Sequence, residues 1–369
     1  MLKRSFGVAA VTAAAALLLA ACSSGSDTAA SEDTAAAEGA ASGLACVILP
    51  DSASSPRWEN GDRQALKASL EAAGFTTDIQ NAEGDTAKFL TIGDQMLASG
   101  CNIMIVTDYQ GAGIKVVANA KAQGVPTIAY DRPIAGADYY TSHDGVAVGK
   151  MIGEGIVKCM SDLGKDPATA ELIFLDGDPT DGNAAAFISG YDPVLKAAGY
   201  EVDKAKLGTK RPDGTWDGIK AGTNFEQALT ANGGKVDAVV SANDNNAANA
   251  IQVLDKNNLK VPVSGQDATE VGLQNVLSGK QCLTVFKDYL DVADSAAKLA
   301  IAILSGETPT TNSQLADGTP FQAADPVPLY ADAASVDAIK KALERNQTTV
   351  EKVCAGAEAT AKCQEIGLL

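Results

Sequence analysis

What most constrains this chain is an alternation that runs once and then starts again. Nearly continuous apolar runs of strand length occur at residues 45–50, 102–107, 126–130, 171–175, 236–241, 261–265 and 281–286, with a weaker one at 76–80. Between them, apolar residues recur at spacings of three and four: Ala65, Leu66, Leu70 and Ala73; Ile114, Val117 and Ala118; and Leu290, Val292, Ala296, Leu299, Ala300 and Ile303. Gly74, Gly100, Gly124, Gly199 and Gly279 stand where helical patterns stop, as expected of a residue that tolerates the left-handed conformation closing a helix. A strand that is apolar on both faces has to be covered on both, so the alternation predicts parallel sheets between layers of helix. The pattern reaches about residue 142 and restarts. An α/β chain with two doubly wound domains is therefore expected, and the ~325 residues beyond the N-terminal region exceed one typical core.

The N-terminal region has a different character. Lys3 and Arg4 precede a run of almost pure Ala, Val and Leu over residues 8–21. That run is shorter than the roughly 20 apolar residues a membrane span needs, and it has the length and flanks of a signal peptide. It ends in Leu19-Ala20-Ala21-Cys22, which resembles the bacterial lipobox; the resemblance implies cleavage before Cys22 and lipid on its sulfur. Residues 23–43 contain no large apolar side chain and cannot bury enough surface to fold. The expected order is a signal peptide over 1–21 and a disordered tether over 22–43. The protein would face the outside of the bacterial cell membrane and touch it only through the lipid.

Charge and cysteines narrow the function. The formal charge is −17, and −19 once Lys3 and Arg4 leave with the signal, because residues 1–21 hold no acid. Such a surface argues against nucleic acid and anionic lipid as partners. With Cys22 acylated, six of the seven cysteines remain: Cys46, Cys101, Cys159, Cys282, Cys354 and Cys363. Six cysteines allow 15 pairings. Cys46 and Cys101 open predicted strands that should be neighbours, Cys354 and Cys363 would close a short loop, and Cys159 and Cys282 are left over. No CxxC occurs and His143 is the only histidine, so no metal site and no cofactor are expected.

In doubly wound sheets ligands bind beyond the carboxyl ends of the strands, and there the polar residues gather. Arg57 and Trp58 follow the first run. Asp131 and Arg132 follow the run at 126–130, and Asp181 and Asn183 follow 171–175. Asn243 follows 236–241, Asp267 follows 261–265 and Lys287 follows 281–286. The second tryptophan, Trp216, lies in the polar loop 211–218. An indole suits the C–H face of a pyranose, whose hydroxyls need charged and amide groups at the rim. Taken singly, each Asn or Asp reads equally well as a helix N-cap, and Asp-Arg as a surface ion pair. Their recurrence at one strand end after another favours a shared ligand.

At these residues the chain resembles the periplasmic xylose-binding proteins and the related multiple-sugar receptors. The shared segments are Pro56-Arg57-Trp58, Ala129-Tyr130-Asp131-Arg132, Asp178-Pro179-Thr180-Asp181-Gly182-Asn183, Val236-Asp237-Ala238-Val239, Ser264-Gly265-Gln266-Asp267-Ala268 and Thr284-Val285-Phe286-Lys287. The resemblance implies a type I periplasmic-binding fold, with lobes at 44–142 plus 289–327 and 143–288 plus 328–369. Three crossovers are implied near residues 142–144, 287–289 and 326–329, with His143 a structural residue at one of them. It carries over Arg57, Trp58, Asp131, Arg132, Asp181, Asn183, Trp216, Asn243, Asp267 and Lys287 as sugar contacts. Gly182 departs from the relatives, which usually have a second Asn there.

The expected function is capture of a monosaccharide by a monomer and its delivery to an ABC permease. A sugar-sensing receptor of the same fold is the alternative, and a cyclic polyol is an alternative ligand. Enzyme readings are weaker. Gly111-Ala112-Gly113 begins a dinucleotide fingerprint whose third glycine is Val116, and Gly145–Lys150 falls one residue short of a P-loop. A glycosidase needs two placed carboxylates, and 46 acidic residues supply such pairs by chance. A sugar-responsive transcription regulator shares the two-lobed core but would need a DNA-binding head instead of a signal peptide and acidic tether.

Overall fold

The computed structural model describes residues 43–369. The predicted signal peptide, Cys22 and the tether up to residue 42 lie outside the described residues. Gly43, which composition leaves in the tether, is the first residue of a strand and pairs with Phe75. A ladder is built from backbone groups, which composition does not register.

Two sheets organise the chain. The first contains β1 (Gly43–Leu49), β2 (Phe75–Asn81), β3 (Ile103–Val106), β4 (Thr127–Tyr130) and β5 (Tyr139–His143). The second contains β6 (Leu172–Leu175), β7 (Ala238–Ser241) and β8 (Thr284–Phe286). β9 (Ser313–Gln314) and β10 (Pro320–Ala324) return to the first sheet, and β11 (Val327–Leu329) to the second. The first sheet has the order β2-β1-β3-β4-β5-β10-β9, parallel except for β9. In the second, β6–β7 and β8–β11 are joined through residues 262–267, which bond to β7 on one side and β8 on the other. The run at 261–265 thus lies in the sheet without forming a continuous strand, because Pro262 accepts from Val239 but has no N–H to return.

Side-chain alternation places the core on both faces of each sheet. On β1, Ala45, Val47 and Leu49 pack against helices Arg63–Ala72 and Tyr289–Leu304, while Cys46 and Ile48 face helices Thr86–Ala98 and Ala112–Ala122. In the second sheet, Ile173 and Val239 meet helices Gly218–Ala231 and Asp244–Lys256. Phe174 and Val240 meet helices Gly145–Asp162 and Gly182–Ala197. A further cluster under the C-terminal helices Val336–Arg345 and Ala357–Ile366 takes in Phe286 and Leu329.

The chain crosses between the sheets three times: after His143, after Phe286, and between Ala324 and Val327. Disulfides join Cys46 to Cys101, Cys159 to Cys282, and Cys354 to Cys363: the first pair is the one strand neighbourhood suggests, the third closes the short loop, and the second is the remaining pair. The architecture is a type I periplasmic-binding fold, two doubly wound lobes on a three-stranded hinge.

Candidate functional site

The order 2-1-3-4-5 in the first sheet puts a topological switch point between β1 and β3, where doubly wound sheets leave a crevice. After β1 the chain enters a five-residue π-helix, Trp58–Asp62, before the helix Arg63–Ala72 begins. Such wide turns recur at functional sites because they re-aim side chains that a regular helix would not. Here the turn buries Trp58 and Asp62 and brings Arg57 against them.

Arg57 is the centre of the charge network. Its Nη2 donates to Asp131 Oδ1 at 2.6 Å and to Asp62 Oδ1 at 3.3 Å. Its Nε lies 2.9 Å from Asp62 Oδ2, at an angle that makes no hydrogen bond. Its Nη1 reaches Asp267 Oδ1 at 3.5 Å. The Arg57 and Arg132 guanidiniums lie 4.4 and 5.4 Å from the centre of the Trp58 rings. Both cations are thus in cation–π range of the indole, whose Nε1 donates to Ser54 Oγ at 2.9 Å.

Asp131 follows β4 with φ +61°. Aspartate is among the few side chains that tolerate this region. The turn aims its carbonyl at three donors: Asn183 Nδ2 at 2.8 Å, and the Tyr140 and Ser142 hydroxyls at 2.9 Å each. Its carboxylate faces Arg57 and, at 3.4 Å, Lys287 Nζ. Burial alone would raise the carboxyl; Arg57, Lys287 and Arg132 outweigh it and hold it well below the usual range. Asp62, behind Arg57, is pushed up to about 6 by burial.

The second lobe supplies the facing wall. Asp181 caps the helix Gly182–Ala197 by accepting from Asn183 N, and its Oδ2 also accepts from Trp216 Nε1 at 3.0 Å. Arg132 Nε lies 3.1 Å from that same oxygen, across the cleft. Asn243 caps the helix Asp244–Lys256 through Asn246 N at 2.9 Å. Asp181 and Asn243 therefore act as N-caps and line the cleft at the same time. Asp267, at φ +100°, receives Lys287 at 3.7 Å. Burial pushes both Asp267 and Asp181 up, against the pull of Lys287 and Arg57 on the former and Arg132 on the latter.

All ten residues singled out from the sequence line this one cleft, which they share with Ser54, Ser55, Phe187 and Gln266. Ser54, Ser55 and Gln266 stand in strand-end segments already visible in the sequence. Phe187 carried no signal: it sits in a helical apolar pattern and meets Trp216 edge-on, with ring centres 6.3 Å apart. His143 does not line the cleft; it is 2 % exposed at the end of β5, and burial lowers it to about 3. Planar donors, carboxylate and amide acceptors, and two indoles on one small cleft suit a ligand rich in hydroxyls on an apolar ring.

A family model described as a periplasmic binding protein domain matches residues 46–308. The D-xylose-binding periplasmic protein of Escherichia coli K12 is 33% identical over 270 residues, covering 71% of this chain and 78% of that protein. A multiple sugar-binding periplasmic protein of Azospirillum brasilense is 31% identical over 293 residues, covering 73% and 80%. The structure of an ABC transporter solute-binding protein from Clostridium phytofermentans with bound β-D-glucose superposes with a TM-score of 0.73 at 27% identity, covering 84% of this chain and 99% of that one. These relatives are binding and transport proteins, not enzymes. The chain belongs to the periplasmic binding protein family, among its sugar-binding members of type I fold.

Proposed function

We propose that the protein captures a monosaccharide, a xylose-like pentose or related aldose, between its lobes and delivers it to an ABC permease. The observation that carries this reading is the convergence of two tryptophans, three cations and three carboxylates on one cleft between the lobes. Arg57, Arg132 and Lys287 would donate to hydroxyls or the ring oxygen, Asp131, Asp181 and Asp267 would accept, and the indoles would cover apolar faces. Each cation already faces a carboxylate, as in Arg57–Asp131, Arg132–Asp181 and Lys287–Asp131. A neutral ligand leaves that balance intact. Arg132–Asp181 and Arg57–Asp267 reach from one lobe to the other, so closing the hinge would assemble the site around the sugar. Micromolar affinity corresponds to about −8.2 kcal/mol. Calorimetry with a panel of pentoses and hexoses should return saturable binding of at least one aldopentose, and silence across the whole panel removes the assignment.

Lipidation at Cys22 completes the proposal. It is supported by the Leu19-Ala20-Ala21-Cys22 motif and by the pairing of the other six cysteines in disulfides. Two or more acyl chains, at about 0.8 kcal/mol per buried methylene, would hold the protein firmly at the membrane. A Cys22→Ala variant should then shift from the membrane fraction to the soluble one; an unchanged distribution would rule the anchor out.

A further inference from the structure

Trp216 stands on a loop with no regular structure, yet it is 9 % exposed. Its six-membered ring lies against the backbone of Gly177, just after β6. A Cβ at Gly177 would come within 2.1 Å of the Trp216 ring, and one at Gly214 within 1.6 Å of the Gly177 carbonyl oxygen. Two glycines therefore let the loop press onto the strand end, and Gly177 also holds φ +87°. Anything that moves Gly177 moves the floor under the indole.

The neighbour of Gly177 is Asp176, and Asp176 is held by one cation. Arg211 Nε donates to Asp176 Oδ2 at 2.7 Å and Nη2 to Oδ1 at 3.3 Å. Nη1 of the same guanidinium donates to Asp192 Oδ2 at 2.9 Å and to the Val202 carbonyl at 2.8 Å. The guanidinium lies 4.5 Å from the ring centre of Phe174 and 5.8 Å from that of Tyr191, whose hydroxyl also donates to Asp176. Arg211 is absent from the cleft lining, and its side chain is 3 % exposed. Its charge is spent on the start of the 211–217 loop and the strand end beneath that loop. Asn246 and Asn245 hold the other end, donating to the Thr215 and Trp216 carbonyls at 2.8 and 3.4 Å.

We propose that Arg211, acting through Asp176, is a positioning residue for the Trp216 wall of the site. It locks strand end and loop together, so that the indole is in place before ligand arrives. Lysine would not replace it, because a single ammonium cannot reproduce the fork that meets Asp176 with two nitrogens and Asp192 with a third. The affinity arm of the test rests on the sugar reading; the spectroscopic arm does not.

The chain has two tryptophans, so Trp58→Phe leaves Trp216 as sole reporter. In that background, without sugar, Arg211→Met should redden the Trp216 emission and raise its quenching by acrylamide several-fold. Asp176→Asn, which keeps the shape and removes the charge, should do the same and serves if the first variant does not fold. Unchanged quenching would overturn the proposal. In the otherwise native protein, Arg211→Met should weaken D-xylose binding about tenfold, the loss expected if the wall stands correctly in about a tenth of molecules. In a Trp216→Ala background the same change should add little. An undiminished loss there, or native affinity for D-xylose in the single variant, would also overturn it. If the unaltered protein binds no monosaccharide, the sugar reading fails while the fluorescence still decides the role of Arg211.

Discussion

Asp131 in the first lobe and Asp267 in the second are made by the same backbone device. Each follows a sheet segment at its carboxyl end, each has positive φ, and each is buried against Arg57 and Lys287. Their carboxyls nevertheless shift in opposite directions, Asp131 down and Asp267 up. Distance and number of cations account for the difference. Asp131 has Arg57 at 2.6 Å and Lys287 at 3.4 Å, with Arg132 contributing. Asp267 has the same two cations at 3.5 and 3.7 Å and is opposed by the charge of Asp131. The lesson is that Asp131 finds two of its three cations, Arg57 and Arg132, within its own lobe. Asp267 instead depends on the other lobe's Arg57 and the crossover's Lys287.

Removing each carboxylate tests that asymmetry where it is largest. Asp131→Ala should take the nearest carboxylate from Arg57 and Lys287, leaving Asp62 for the first and the more distant Asp267 for both, at a cost of about 3 kcal/mol in unfolding free energy, the low end for breaking a buried pair. Sugar binding should fall below detection. Asp267→Ala should cost clearly less stability and leave measurable, weakened binding. Urea unfolding and calorimetry on the two variants make the comparison, and equal losses would show that cation number does not separate the two sites.

The same pair shows what could be read in the sequence. A carboxylate after an apolar run is visible in one dimension, and so is the restart of the alternation that sets two sheets. Both aspartates, Trp58 and all three cations of the cleft follow from that rule, whereas Trp216 stands out only as an indole in the polar loop 211–218. What could not be read is anything decided by packing across elements. The positive φ of Asp267 depends on a segment that bonds to β7 and β8 at once; the run at 261–265 is legible as strand-like, but not the turn that follows it. The π-helix that buries Trp58 and Asp62 has no sequence signature of its own. Asp62 carries no signal in the sequence, yet it is wholly buried and accepts from the Tyr130 hydroxyl. Phe187 and Arg211 belong to the site or its support only because the 211–217 loop folds over the end of β6.

A smaller difference between the regions should appear as opposite pH slopes. In the second lobe, Asp244 is fully buried beneath the Asp267 turn. It accepts from Thr269 N at 2.9 Å, from Gln281 Nε2 at 2.8 Å and from the Thr284 hydroxyl. Burial, with Asp267 adding, pushes it up to about 7 from an ordinary 3.8 despite those donors. The folded state then holds a proton that the unfolded chain releases. Its stabilisation is complete below about pH 4 and is lost as pH rises through 7. His143 at the end of β5 is the reverse case. Burial, then Lys287 and Arg57, lower it to about 3 from 6.5, with Asp131 and Asp288 pulling the other way. Its contribution is present above 6.5 and lost as pH falls toward 3. Between pH 4 and 6.5 the two slopes oppose, each limited to about 1.4 kcal/mol per pH unit for one proton. Asp244→Asn should therefore make the stability profile rise more steeply with pH in this window, and His143→Gln should make it rise less. Urea unfolding at pH 4.5, 5.5 and 6.5 reads both slopes against the unaltered protein, and parallel profiles would mean that neither group changes its proton occupancy on folding.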